Sequence, residues 1–433
     1  MAEKPVNVLV ILAAMAGGAA LGALAGTEGT VLGVDVIPAC DFVGSLFINL
    51  LKMLIVPLVM ASVITGVSGM GSGRSLGRLG LTSFAFYLIT TLMAVLIALC
   101  VLNVLQPGVV HGEPARDLLA LHADAASVDI SVRAKAHGGL LDLLLGMVPT
   151  NIVEAASGTK LLGLLFFSVL FGYFLTRIES PYRESVSDFW QGIFRVMMRM
   201  TDFVMHLAPI GVFGLTARVV ARTGFASAGP LLLFGLSVVV SLAVFALIAL
   251  PLLIRVVGRV RPWGLFPALA PALLTAFSTA SSSATLPLTM ECTEKRAGVS
   301  ARISGFVLPL GVSVNHAGSA LYECAAALFI AQAYGLHLSF ATQFTIVVLA
   351  LVTSMGIAGI PAASLVGITV ILGAVGLPAE AIGVLLVLDR LLDMARTAVN
   401  VLADAACAVI VARLSGERDV LSGRLPDQSP DAS

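Results

Sequence analysis

Long apolar runs separated by short polar breaks set the rhythm of the chain. Runs over 5–26, 40–70, 79–105, 160–177, 188–220 and 229–257 approach or exceed the ~20 residues needed to cross a bilayer. The first part of the chain therefore reads as six membrane-spanning helices. The run starting at Pro5 has the flavour of a signal peptide, but small and apolar sequence continues through Gly17 to Gly26 and further spans follow, so it reads as a first span. One polar excursion, Gln106 to His137, carries Glu113, Arg116, Asp117, Asp124 and Asp129 and reads as an external loop.

After Trp263 the rhythm changes. The apolar stretches 264–292 and 340–376 are each interrupted midway, first by Ser278-Thr279-Ala280-Ser281-Ser282-Ser283-Ala284-Thr285-Leu286-Pro287 and then by Thr353-Ser354-Met355-Gly356-Ile357-Ala358-Gly359-Ile360-Pro361. Each half is too short to span alone, and non-helical backbone at membrane depth survives only when buried in protein or lining a cavity. The pattern predicts two re-entrant helical hairpins, each followed by a helix, over 301–333 and 379–413. Two similarly broken segments in corresponding halves of a chain point to a transporter binding site. The expected fold is an all-α polytopic membrane protein of eight transmembrane helices plus two hairpins related as inverted repeats. Residues 1–262 would form mainly scaffold helices, some contributing to the transport domain. Residues 263–413 would form the transport core, and 414–433 a disordered cytoplasmic tail rich in Asp, Pro and Ser.

Charge orients this path. Lys4, Arg74 with Arg78, Arg177 with Arg183, and Arg255 with Arg259 and Arg261 all fall where an N-terminus-inside path puts the cytoplasm. Lys295, Arg296 and Arg302 mark the turn after the first hairpin as cytoplasmic, and no Lys or Arg follows until Arg390. The expected location is the inner (plasma) membrane, with both termini in the cytoplasm. Composition agrees: 58% of residues are hydrophobic and 12% charged, with a mean hydropathy of +1.02, whereas a soluble domain is nearer a quarter charged. A net charge of zero offers nothing to nucleic acid. The five cysteines, Cys40, Cys100, Cys292, Cys324 and Cys407, are scattered without metal-ligand spacing and read as thiols.

The strongest chemical signal lies on the last helix. Asp389, Asp393, Arg396, Asn400 and Asp404, spaced by 4, 3, 4 and 4, fall within a stripe roughly 80° wide on an α-helix. An ionised group at the bilayer centre costs ~2.5–3.5 kcal/mol on insertion scales, so several on one stripe must face a polar cavity or one another. The bland alternative is an intrahelical ladder that only holds helices together. Arg390 lies about 100° off the stripe and has no assigned partner. A second cluster, Asn315-His316-Ala317-Gly318-Ser319, sits in the middle of an apolar run and suggests unwound backbone whose carbonyls bind a cation; a Gly-Ser kink with a buried histidine is its bland reading.

The sequence resembles the dicarboxylate/amino acid:cation symporter family, which includes the excitatory glutamate transporters. The resemblance runs through nearly the whole chain: Leu51-Lys52-Met53-Leu54-Ile55-Val56-Pro57-Leu58, Val148-Pro149-Thr150-Asn151, Leu207-Ala208-Pro209-Ile210-Gly211-Val212-Phe213, both hairpins, and Asp393-Met394-Ala395-Arg396-Thr397-Ala398-Val399-Asn400. It implies a homotrimer working by an elevator-like displacement of a transport domain that carries a small acidic solute: aspartate, glutamate or a dicarboxylate. By matching position, Arg396 would grip the solute's side-chain carboxylate with Ser319 and Thr397 assisting. A planar fork suits that task. Asp393 would bind an amino group; Ser281, Ser282 and Asn400 would hold the main-chain carboxylate, and Gly359 would complete the solute site. Asn315, Gly311, Tyr87, Thr90, Thr91 and Asp404 match cation positions.

Departures from the family pattern bear on coupling. The middle-helix motif is Asn-His-Ala-Gly-Ser where the family usually has Asn-Met-Asp-Gly-Thr. Ala317 thus removes a carboxylate from a sodium site, His316 puts a titratable group beside it, and Ile357 replaces a Thr. Asp404, a further sodium ligand, is retained. The expectation is reduced or absent sodium coupling, with a proton on His316 or a carboxylate as the substitute; a sodium-coupled symporter and a sodium-free exchanger are the alternatives. No other cofactor is expected. A channel is disfavoured by two gate-like hairpins around a charged site. An enzyme is disfavoured because Ser281 to Ser283 have no basic partner nearby in sequence.

Overall fold

The computed structural model of the protein describes residues 8–26, 30–31, 34–68, 76–119, 121, 123–134, 145, 148–157, 161–224, 228–355 and 364–421. The chain is all-helical apart from two-residue ladders that pair Thr30–Val31 with Val34–Asp35 and Val109–Val110 with Glu113–Pro114. The helices are α1 (Val8–Ala25), α2 (Val36–Ser68), α3 (Leu76–Leu105), α4 (Leu161–Leu175), α5 (Tyr182–His206), α6 (Ala208–Thr223) and α7 (Ala228–Val244). They continue as α8 (Leu265–Thr279), α9 (Ser282–Lys295), α10 (Ala301–Val314), α11 (Ala317–Ala333), α12 (Phe340–Met355), α13 (Ser364–Val375) and α14 (Ile382–Leu414). A short helix, Ile152–Ser157, precedes α4. By length and composition, three stretches among the described residues can each cross a membrane: Leu79–Leu105, Ala228–Gly258 and Ala379–Leu414.

The expected span over 188–220 is two helices, α5 and α6, bent by 52°. The reason is local. Pro209 lies in the first turn of α6, where a proline lacks only an N–H that would have had no partner. If the bent pair counts as one, the stretches number four. The polar excursion is also more ordered than a loop: residues 125–134 are helical. The Gln332 amide of α11 donates to the Leu102 carbonyl at 2.9 Å and accepts from Gly108 N at 3.3 Å, tying the start of the excursion to the end of α11.

Small residues let the first helices approach closely. A methyl group on Gly18 would come within 2.4 Å of the Phe213 carbonyl oxygen, and one on Gly22 within 2.4 Å of that of Ala217. The backbones of α1 and α6 are therefore in direct contact, the small-residue packing that replaces the hydrophobic effect where the solvent is lipid. Asp41 of α2 and Arg218 of α6 pair at 2.8 Å.

The second half is built around α11, in which every residue but Gln332 is buried. Helices α3, α7, α12, α13 and α14 pack against it. Helix α8 ends at Ala280, which takes the left-handed conformation, and Ser281 is extended and caps α9 through its side chain, accepting from Ala284 N at 3.3 Å. The serine-rich break is thus a two-residue reversal between paired helices. At the other end, residues 415–421 pack beneath the α9–α10 turn. Leu421 N donates to Ala297 O at 2.9 Å, Ser300 N and its hydroxyl both donate to the Glu417 carboxylate, and Arg413 donates to Glu417 O at 2.6 Å. The carboxylate sits where the N-terminal dipole of α10 favours it.

Candidate functional site

The polar stripe of α14 faces protein and not lipid. Asp389 and Asp393 are each 5% exposed, Arg396 0%, Asn400 3% and Asp404 1%. Arg396 is held by charge on two sides: Nη1 and Nη2 donate to one oxygen of Asp389 at 3.2 and 3.1 Å, and Nη2 donates to Asp393 at 2.9 Å. Its planar face stacks on Tyr322 of α11, with the central carbon 3.8 Å from the ring centroid. A guanidinium sealed from water is tolerable only with this degree of pairing. Arg390 is also buried, at 8%, and its nearest approach to a carboxylate is 3.9 Å, to Asp393 Oδ2.

The middle of the run 301–333 breaks where the polar cluster predicts. Asn315 (φ −101°, ψ 80°) and His316 (φ −104°, ψ 54°) are both non-helical, dividing α10 from α11. The start of α11 has no cap from His316. Asn400 of α14 supplies one from outside, accepting from Gly318 N at 2.8 Å while its amide donates to Ser319 Oγ at 3.3 Å. One turn further along α14, Asp404 accepts from the Asn315 amide at 2.9 Å. The side-chain amide oxygen of Asn315 in turn accepts from the hydroxyls of Thr90 and Thr91 on α3, at 3.2 and 3.4 Å. Gly311 has no side chain because a Cβ there would lie 2.6 Å from Asp404 Oδ1. The broken helix is thus stitched to α14 and α3 by the residues singled out from sequence.

Three expected residues stand slightly apart. Tyr87 donates to the Val307 carbonyl at 2.6 Å, one turn before Gly311. The Thr397 hydroxyl is turned back onto its own helix, donating to Asp393 O at 2.8 Å. His316 is buried against α12, where the backbone of Ser354 approaches its ring, but neither ring nitrogen makes a hydrogen bond of ordinary geometry among the described residues. Ser282 is buried at the start of α9 beside the capping Ser281. Gly359 and Ile357 lie outside the described residues.

A cavity of about 710 Å³ opens between α2 and α5, lined by Leu50, Met53, Arg195, Arg199 and Phe203 among others, and shares no residue with this cluster.

Sequence reasoning missed Glu323. It lies one residue beyond Tyr322, is fully buried, and accepts a 2.5 Å hydrogen bond from Thr353 on one oxygen, while the other oxygen has no partner among the described residues. Gly367 of α13 makes room for it: a Cβ there would fall 2.2 Å from the carboxyl carbon. The signal was available, since Glu323 is the sole Asp, Glu, Lys or Arg between Arg302 and Glu380, and a lone intramembrane carboxyl is functional by default.

Sodium can be weighed against this donor set. Asp404, the Asn315 carbonyl and the two threonine hydroxyls are hard oxygen donors of the right kind, but they contain one carboxylate, and that carboxylate is already met by the Asn315 N–H. Rotating the Asn315 amide would turn its oxygen toward Asp404 instead of its N–H.

Broken helices stitched around a buried, internally neutralised guanidinium define a helical membrane carrier of a charged solute. The comparisons bear this out: the profile described as "Sodium:dicarboxylate symporter family" matches residues 8–414, and the chain belongs to that family. It is 37% identical over 396 residues to the proton/glutamate-aspartate symporter of Escherichia coli (strain K12), covering 87% of this chain and 88% of that one. It is 34% identical to the proton/sodium-glutamate symport protein of Bacillus caldotenax (88% and 89% covered). It is 31% identical to excitatory amino acid transporter 1 of Ambystoma tigrinum (87% and 77% covered).

Proposed function

We propose that this chain carries an acidic amino acid, aspartate or glutamate, or a dicarboxylate across the inner membrane, driven by protons. The observation that carries the reading is Arg396: fully buried, forked, and held by two carboxylates in the middle of a membrane protein. A planar fork of this kind is suited to trade one of its internal carboxylates for that of a solute. The relatives' names support the solute class: glutamate and aspartate in Escherichia coli, glutamate in Bacillus caldotenax.

Arg396 grips the solute's side-chain carboxylate, and Asp393, once released, meets the amino group. Ser319 and Thr397 line the same side. Asn400 with the α9 N-terminus at Ser281 and Ser282 takes the main-chain carboxylate, and Gly359 closes the site from the second hairpin. The α8–α9 and α12–α13 pairs act as the two re-entrant hairpins of an eight-span fold with both termini inside. They move with α10, α11 and α14 as an elevator within a homotrimer.

Charge supports the proton. Among the described residues four carboxyls are buried, those of Glu323, Asp389, Asp393 and Asp404, and two guanidiniums, those of Arg390 and Arg396. An acidic solute adds more negative charge to a low-dielectric site, so a cation or proton must travel with it. Glu323 has the chemistry of a proton site: sealed from water, bonded to a hydroxyl on one oxygen, unpartnered on the other, and salt-bridged to nothing among the described residues. His316 is the other candidate.

The test is uptake of radiolabelled L-aspartate into proteoliposomes under an imposed proton or sodium gradient. Accumulation driven by an inward proton gradient without sodium supports the proposal. Dependence on sodium with indifference to protons overturns the coupling, and counterflow alone makes the protein an exchanger.

A further inference from the structure

The groove between α2 and α5 stands apart from the solute site and has a chemistry of its own. Met53 of α2 and Met198, Met200 and Phe203 of α5 give its roughly 710 Å³ an apolar floor. Arg195 and Arg199 supply its charge, and among the described residues no carboxylate lines it. Both arginines are exposed, and neither has an ion-pair partner among the described residues.

The sequence of α5 fixes the level at which this groove lies. Asp188, Gln191, Arg195, Arg199, Asp202 and His206 follow one another at spacings of 3, 4, 4, 3 and 4, a stripe about 80° wide on an α-helix. Met197, Thr201 and Val204 lie on the opposite side and are buried, and α2 packs against the helix. A stripe this polar is costly in hydrocarbon. A helix divided in this way turns its polar face to water and headgroups and its apolar face to protein and acyl chains. Arg195 and Arg199 stand on that boundary, one turn apart on one face, and the groove opens beside them.

We propose that this groove binds an anionic phospholipid, with the phosphate between the Arg195 and Arg199 guanidiniums and an acyl chain along the methionine-rich floor. Charge selects the occupant. Two guanidiniums without a lining carboxylate match a phosphodiester, and an anionic bilayer surface attracts each of them. Unbranched thioether side chains repack around chains of different length and unsaturation. A dissolved anion would use the arginines and leave the floor uncovered. A zwitterionic lipid would cover the floor but bring its own cation toward the arginines. The groove shares no residue with the Arg396 cluster, so its occupancy and solute binding are separately measurable.

The experiment uses the purified, delipidated full-length chain in detergent, with bound lipid read by native mass spectrometry and stability by thermal unfolding. Phosphatidylglycerol is expected to be retained and to raise the melting temperature, and phosphatidylcholine with the same acyl chains to do both far less. R195Q/R199Q is expected to weaken phosphatidylglycerol binding roughly 30-fold, each arginine at an anionic surface contributing about fivefold. R195K/R199K restores the charge and is expected to recover part of the loss. R199Q alone, expected to lose about fivefold, carries the test should the double variant not fold. Phosphatidylglycerol affinity equal to the parent's in R195Q/R199Q or R199Q overturns the proposal. Equal retention of the two lipids does so too, as does stabilisation by inorganic phosphate as large as that by phosphatidylglycerol, which marks a free-anion site. A changed subunit number in R195Q/R199Q with lipid retention unaltered also overturns it and assigns the groove to a contact between copies of the chain.

Discussion

The guanidinium of Arg396 lies flat on the ring of Tyr322, 3.8 Å from its centroid, with Asp389 and Asp393 at its edge. Face and edge are thus used by different partners. The edge can trade a carboxylate of the protein for one of the solute while the face stays in contact with the ring. A desolvated cation–π contact contributes ~2 kcal/mol. Because that contact is present with and without solute, Y322L is expected to lower the unliganded melting temperature, and Y322F, which keeps the ring, to lower it much less. Thermal unfolding of both variants checks this.

Removing Arg396 is expected to abolish acidic-solute binding and to take from Asp389 and Asp393 the guanidinium they share, with Arg390 standing 3.9 Å from Asp393. Breaking a buried ion pair from one side costs ~3–5 kcal/mol. R396A should therefore lower the melting temperature, and the added substitution D389N should restore part of it. Thermal unfolding of the single and double variants measures both effects.

Glu323 and His316 are the two candidates for the coupled proton, and their glutamine variants separate them. Gln has the shape of a protonated carboxyl but holds no titratable proton, so E323Q is expected to flatten the pH dependence of uptake while H316Q leaves it intact. Initial uptake rates across a pH series give the answer; the reverse pattern assigns the proton to His316.

Two close approaches should be intolerant of a single methyl group. G311A drives a Cβ to 2.6 Å from the Asp404 carboxylate, and G367A drives one to 2.2 Å from the Glu323 carboxyl carbon. Overpacking of this kind costs ~1–3 kcal/mol. Both variants should melt lower than the parent, and G367A should also shift the pH profile of uptake, because it presses on the proposed proton site.

Element positions in the second half were largely legible in the sequence. The breaks at Ala280–Ser281 and at Asn315–His316 fall within the polar interruptions, because serine, asparagine and glycine offer the backbone alternatives to the helix that an apolar run does not. The charged stripe of α14 was legible for the same reason: no spacing but the helical one explains Asp389, Asp393, Arg396, Asn400 and Asp404. The reading of the first half was coarser. The bend between α5 and α6 falls at Pro209, which a count of apolar residues does not weigh, and the helix at 125–134 lies in a polar stretch that carries no apolar run. Glu323 escaped because a single residue makes no pattern; only its isolation in an otherwise uncharged stretch gave it away. The resemblance supplied roles for Thr397 and Tyr87, but their present bonds, to the carbonyls of Asp393 and Val307, belong to tertiary detail that no spacing reveals.

The lacing of Glu417 and Leu421 onto the turn between α9 and α10 makes the end of the chain a working part. A reporter or affinity tag fused directly after Leu414 would sever that knot and free the α9–α10 turn. The same tag placed beyond Leu421 leaves it tied, so the choice of fusion point itself becomes a probe of how firmly that turn must be fastened for the cargo to cross.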